Sequence, residues 1–152
     1  MKINWKKLII ITIITFLIGS LFSLFTMNNM EVFKELDKPI NVPGIVFPII
    51  WSILYLLMSI SYYLICEKEN NDKAVRMYWI QLIINSLWTL IFFGFKTYLF
   101  AFIWLLILLA SIIIMLVEFY RVDKRAAYLN MPYLLWVIFA GYLNLGIYLL
   151  NR

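Results

Sequence analysis

Five stretches of this sequence carry almost no charge, and each is about as long as a bilayer is thick. Leu8–Phe33 contains only Glu31; Pro39–Cys66, Met77–Phe95, Thr97–Val117 and Ala126–Asn151 contain no charged residue at all. A helix of about 20 apolar residues spans a hydrocarbon core, so the pattern predicts five crossings, roughly over residues 8–27, 46–66, 77–95, 98–118 and 130–150. A transmembrane strand barrel is excluded, because its segments would be about half as long and would alternate in polarity. A soluble five-helix bundle is excluded too, since its helices would need a polar outer face. The chain is 65% hydrophobic and only 14% charged, where a typical globular protein is about 25% charged. The expected fold class is therefore an all-α integral membrane protein, a five-transmembrane-helix bundle forming one membrane domain over residues 1–152.

The charges sit between the runs and orient them. With five crossings, the N-terminus shares a side with the second and fourth connections. That side holds Lys2, Lys6, Lys7, Lys68, Lys73, Arg76, Arg121, Lys124 and Arg125, against Lys34, Lys38, Lys96 and Arg152 opposite. The positive-inside rule then predicts a cytoplasmic N-terminus, in a bacterial cell membrane (or a mitochondrial outer membrane, if the chain is eukaryotic). The net charge of +5 thus reads as loop placement, and no nucleic-acid-binding pattern accompanies it. Histidine is absent, which removes the commonest general base and metal ligand. The single cysteine, Cys66, can form neither an internal disulfide nor a CxxC site. The expectation is no metal and no required cofactor.

Side-chain spacing says where a ligand could sit. A turn punctuated by Pro39, Pro43 and Pro48 fixes its own backbone and leads into a helix with Trp51, Tyr55, Met58 and Tyr62 at steps of four, three and four, hence on one face. The third run repeats those steps with Gln81, Asn85, Trp88 and Phe92, and the fifth places Trp136, Ala140 and Asn144 together. An amide inside a bilayer must face protein or ligand. An interhelical hydrogen bond, worth about 0.6 kcal/mol, is the plain reading of each. Aromatic rings beside amides and a small residue on three different helices are also the anatomy of an apolar pocket with a few orienting polar groups. Thr12, Thr15, Gly19, Ser23 and Thr26 in the first run, and Ala101, Trp104, Leu108 and Ser111 in the fourth, read as packing faces.

These residues resemble a known family. KP-x(3)-PG-x(2)-F-x(3)-W-x(2)-LY-x(2)-M from Lys38 to Met58, Q-x(3)-N-x(2)-W-x(3)-FFG from Gln81 to Gly94, and PYLLW-x(3)-A-x-YLN from Pro132 to Asn144 look like the motifs of the TspO/MBR family. These are the tryptophan-rich sensory proteins and the translocator protein. The resemblance implies a five-helix bundle, usually a homodimer, with a pocket beneath the loop between helices one and two. It implies binding of porphyrins such as protoporphyrin IX, of sterols, and of benzodiazepine- or isoquinoline-type drugs. On it, the pocket tryptophans fall at Trp51 and Trp136, the aromatic wall at Tyr55 and Trp88, the ligand-facing amide at Asn85 and the small residue at Ala140. Phe47, Phe92 and Asn144 complete the expected ligand-binding set. The family turn usually carries a tryptophan and one more residue, and a Trp-Tyr pair precedes it; here that pair is Val32-Phe33. The pattern Leu145, Tyr148, Arg152 resembles a sterol-contact motif but reads more simply as an interfacial anchor.

The expected function is a membrane binding and sensing protein for tetrapyrroles, with the porphyrin carboxylates meeting Lys34 or Lys38. The lipid bilayer and a second copy of the chain are the other expected partners. Two alternatives remain: a porphyrin or lipid transporter, and a slow oxidative porphyrin-degrading enzyme with Trp51 and Trp136 as redox side chains. No nucleophile–base pair or carboxylate pair supports ordinary catalysis.

Overall fold

The computed structural model describes the whole chain, Met1–Arg152, and its regular structure is helical throughout. Five helical stretches are long and apolar enough to cross a membrane: Trp5–Glu35, Val46–Cys66, Asp72–Gly94, Tyr98–Val122 and Lys124–Leu150. They are spans one to five here, in the number and order that the uncharged runs predict. Their ends and interruptions differ from expectation, for local reasons.

Span one is broken. Helix α1 (Trp5–Gly19) starts at an Asn4 cap, whose Oδ1 accepts the Lys7 N–H at 3.1 Å. The chain then continues as α2 (Ser23–Thr26), a 3-10 turn (Met27–Asn29) and α3 (Met30–Glu35). Sequence periodicity predicts one helix to residue 27 and a polar connector over Asn28–Lys38; most of that connector is helical instead. Hydroxyls account for the break: Ser20 Oγ donates to the Phe16 carbonyl, Ser23 Oγ to that of Ser20, and Thr26 Oγ1 to that of Phe22. Such bonds compete with the backbone ladder and bend helices.

Span two, α4 (Val46–Cys66), matches its expected limits. Span three begins at Asp72 rather than Met77, so the connection expected over Glu67–Arg76 is only Glu67–Asn71. Asn71 Nδ2 closes that turn by donating to the Ile65 and Lys68 carbonyls. Asp72 complements the helix dipole, and Ala74, one turn in, is fully buried. After α5 (Asp72–Thr89) the span widens into a π-helical turn, Leu90–Gly94, in which the Phe95 N–H reaches back to the Leu90 carbonyl at 2.9 Å. Span four, α6 (Tyr98–Val122), runs a turn past its expected end. The basic link expected over Arg121–Arg125 shrinks to Asp123, which caps α7 (Lys124–Leu129); α8 (Met131–Leu150) follows after a break at Asn130.

α6 packs along both α5 and α8, while α1 packs along α4. With no water available in hydrocarbon, buried polar groups pair across helices. Thr15 bonds Tyr78, Ser61 Oγ donates to the Ala126 carbonyl at 2.7 Å, and Tyr133 OH donates to Gln81 Oε1 at 2.7 Å. The face of α6 read as packing does pack: Ala101 and Leu108 are fully buried, and Trp104 Nε1 donates to the Ile84 carbonyl at 2.8 Å. At the N-terminal end of the bundle, Lys7 pairs with Glu67 at 2.6 Å and Asp123 with Arg125 at 2.8 Å.

Two consequences are measurable. A Cβ added at Gly19 would lie 2.5 Å from the buried Tyr55 ring, and overpacking of this kind costs about 1–3 kcal/mol. Gly19→Ala should therefore lower the thermal unfolding midpoint in detergent, and an unchanged midpoint would show that α1 and α4 are not in this contact. The Arg125 guanidinium, by hydrogen bonding, holds the Asp123 carboxyl below the usual carboxylate range against the opposing pull of burial; the Arg125 backbone N–H and the Lys68 charge add to it. A depressed carboxyl contributes stability above its unfolded value and loses it as the pH falls through the folded one. Wild type should thus lose stability below about pH 4, and Asp123→Asn should be less stable near neutrality and flatter in that acid window.

Candidate functional site

On the loop-ward side of Gly19 the broken part of span one no longer packs along α4, and a cavity of about 450 Å³ lies there. That volume is within the range of about 300–1,000 Å³ typical of small-molecule sites. Its floor is the Tyr55 phenol, whose OH donates to the Gly19 carbonyl at 2.9 Å and accepts from Asn85 Nδ2 at 3.2 Å. A belt of rings runs round its walls. Trp88 stacks on Phe92 at 5.1 Å, Phe92 meets Phe33 edge-on at 6.1 Å, Phe33 meets Phe47 at 5.8 Å, and Phe47 meets Trp136 at 5.9 Å. Trp51 lies over Tyr55 at 5.5 Å, tilted by 30°. These are the offset and edge-on arrangements that aromatic pairs prefer. The π-helical turn of span three adds Phe92 and Phe93 to the lining; such turns recur at functional sites.

Of the residues expected to bind ligand, Trp51, Tyr55, Trp88, Trp136, Ala140 and Asn144 line this cavity, as do Phe47 and Phe92. Asn85 does not. It is 2% exposed and lies behind Tyr55, its amide donating to the phenol oxygen, so it positions the floor and is not on the cavity surface. Asn144 is at the wall, but both ends of its amide are engaged: Trp88 Nε1 donates to Oδ1 at 3.2 Å, and Nδ2 donates to the Tyr98 carbonyl at 2.8 Å. Among the tryptophan donors the contrast is Trp136, whose buried Nε1 has no partner. Lys34 and Lys38 do not line the cavity. Lys34 pairs with Glu31, and the Lys38 ammonium sits 4.7 Å above the Phe33 ring while donating to the Leu36 carbonyl.

Span one supplies lining residues that sequence reasoning assigned to packing. The small stripe divides at the helix break: Thr15 and Gly19 pack on spans three and two, whereas Gly19, Ser23 and Thr26 also face the cavity, with Met27, Met30 and Phe33 beyond them. The signal available in the sequence was the SLFS stretch at Ser20–Ser23, whose hydroxyls weaken a helix.

The sequence profile of the TspO/MBR family matches residues 10–150. The chain belongs to the TspO/MBR family. The tryptophan-rich protein TspO of Archaeoglobus fulgidus is 32% identical over 97% of this chain and 99% of its own. The tryptophan-rich sensory protein of Cereibacter sphaeroides is 34% identical over 80% of this chain and 77% of its own, and the human translocator protein 33% over 77% and 73%. With five apolar spans and bacterial relatives, this TspO/MBR protein is an integral, multi-pass membrane protein.

Asn85 separates a floor role from a surface role. Asn85→Ala should cost stability on the scale of an intramembrane hydrogen bond, about 0.6–1.7 kcal/mol, and Tyr55→Phe should cost less in that background than in wild type, its remaining loss being the bond to the Gly19 carbonyl. Thermal unfolding of the single and double variants measures that coupling; independent, additive losses would dissolve the pair.

Proposed function

We propose that this protein binds and senses a flat, apolar guest of the tetrapyrrole class, protoporphyrin IX first among them, in the cavity between spans one, two, three and five. The observation that carries this reading is the aromatic belt that runs from Trp88 through Phe92, Phe33 and Phe47 to Trp136 around the cavity. Ring faces suit a planar conjugated guest. Ala140 leaves room on α8 where a larger side chain would narrow the space. Sterols and benzodiazepine- or isoquinoline-type molecules share the apolar, ring-built character and belong to the same proposed ligand class. The relatives named for sensing and for translocation are consistent with one binding site serving either output.

Two further parts of the reading concern context. The basic end of the bundle, where Lys7, Lys68 and Arg125 meet Glu67 and Asp123, is proposed to be cytoplasmic in a bacterial cell membrane, following the positive-inside rule. The working unit is proposed to be a homodimer, as the family resemblance implies.

Titration of the purified protein with protoporphyrin IX, read by porphyrin absorbance and tryptophan fluorescence, tests the ligand. Saturable binding should weaken at least about tenfold, or 1.4 kcal/mol, in the Trp51→Phe/Trp136→Phe double variant, which keeps apolar rings but removes both indole N–H groups. Binding by the double variant equal to wild type would place the porphyrin outside this cavity.

A further inference from the structure

We propose that the cavity exchanges its guest sideways with the bilayer, through a seam between spans one and two, and not with water through the loop end. The guest that fits such a seam is a molecule already dissolved in the hydrocarbon, and in its absence a phospholipid acyl chain. The proposal rests on the cavity being the binding site, but not on the guest being a porphyrin.

The loop end is roofed. Phe33 is 8% exposed and sits among Phe47, Phe92 and Phe93, with the Lys38 ammonium over its outer face. The α3–α4 connection is fastened on the span-five side at two points. Asn151 grips the Asp37 backbone from both ends, Oδ1 accepting its N–H at 3.0 Å and Nδ2 donating to its carbonyl at 2.8 Å. Pro39 packs on Gly146 so closely that no Cβ would fit there.

The side is open. Four cavity-lining residues are exposed: Met27 from span one, Gly44 from the turn just before α4, and Pro48 and Ser52 from the first two turns of α4. Pro48 and Ser52 are spaced by four, so they form one edge along α4, continued by Gly44 in the turn before it, with Met27 on the other side of the gap. Ser52 lies six residues beyond Val46, about 9 Å into the span at 1.5 Å per residue, which is a depth of hydrocarbon and not of water. The surface flanking the rim agrees: Leu24, Phe25, Ile49 and Ile53 are 72%, 76%, 53% and 53% exposed. The rim itself presents no free hydroxyl donor, because Ser52 Oγ donates to the Pro48 carbonyl at 2.7 Å and Ser23 Oγ to that of Ser20 at 2.6 Å. An apolar guest therefore crosses the seam without stripping a polar group of its partner.

Photo-crosslinking in phosphatidylcholine vesicles tests this. A benzophenone side chain (p-benzoylphenylalanine) replacing Trp136 reports from the cavity wall, and one replacing Ile53 reports from the lipid-facing surface. Acyl-chain adducts, read by mass, should form at both positions. Ser52→Trp or Met27→Trp, each at an exposed site, should cut the adduct at position 136 by about tenfold and spare the one at position 53, while Asn151→Ala, which frees the loop, should change neither. Ile53→Trp, paired with the position-136 probe, controls for an added indole beside the rim and should leave that adduct unchanged. Adducts at position 53 with none at 136, or at 136 regardless of the rim tryptophans, would overturn the proposal. Protoporphyrin IX in the same vesicles keeps the two readings apart. Rim tryptophans should slow both its uptake and its release. Acyl adducts without porphyrin binding would sink the ligand assignment and leave the portal standing. Porphyrin binding that Asn151→Ala accelerates and the rim tryptophans do not slow would sink the portal and leave the ligand assignment.

Discussion

One phenol oxygen joins three spans at the floor of the cavity. Tyr55 OH from span two donates to the Gly19 carbonyl of span one and accepts the Asn85 amide of span three. The Gly19 carbonyl lies where α1 ends and the ladder is loosened, so it has capacity for a further donor. The absence of a side chain at Gly19 lets the Tyr55 ring lie directly against the backbone. Toward the N-terminus from this point, spans one and two are in contact and the interior is solid, with Tyr62 stacked on Tyr78 at 4.2 Å. Toward the loop end the hydroxyl-rich break lets span one swing away, and the space it vacates becomes the cavity.

The chemistry of that space follows from what each polar group has already spent. In hydrocarbon, a donor left alone is costly, so most are committed within the protein. Asn144, Trp88 and Trp104 are tied to partners, and the hydroxyls of Ser20, Ser23 and Thr26 return to their own backbone. What remains facing the guest is ring surface and small residues. A site of this kind selects by shape and apolarity, with little polar discrimination. That breadth is in keeping with the mixed names borne by its TspO/MBR relatives.

Much of this was legible in the sequence. The uncharged runs gave the number and order of spans, and the steps of four and three put Trp51, Tyr55, Trp88 and Phe92 on inward faces, where they lie. Span two was read to the residue, because charge at Glu67 and proline at Pro43 bound it sharply. Spans three, four and five are longer than their uncharged runs, because charged residues such as Asp72, Arg76, Arg121 and Lys124 continue the helices beyond the apolar core. Asn85 was assigned to the ligand because an amide on the right face looks the same whether it meets a guest or another side chain.

Length, apolarity and helical period are properties of a dozen or so neighbouring residues, and these the sequence by itself determined: a membrane bundle, five spans, and which face of each turns inward. The tertiary structure alone decided which inward groups meet one another and which are left for a guest. Tyr55 finds a partner 36 residues before it and another 30 residues after it, and no local pattern encodes that meeting. The direction in which the cavity opens was decided at the same level, by the packing of Pro39 on Gly146, the grip of Asn151 on Asp37, and the parting of span one from span two beyond Gly19.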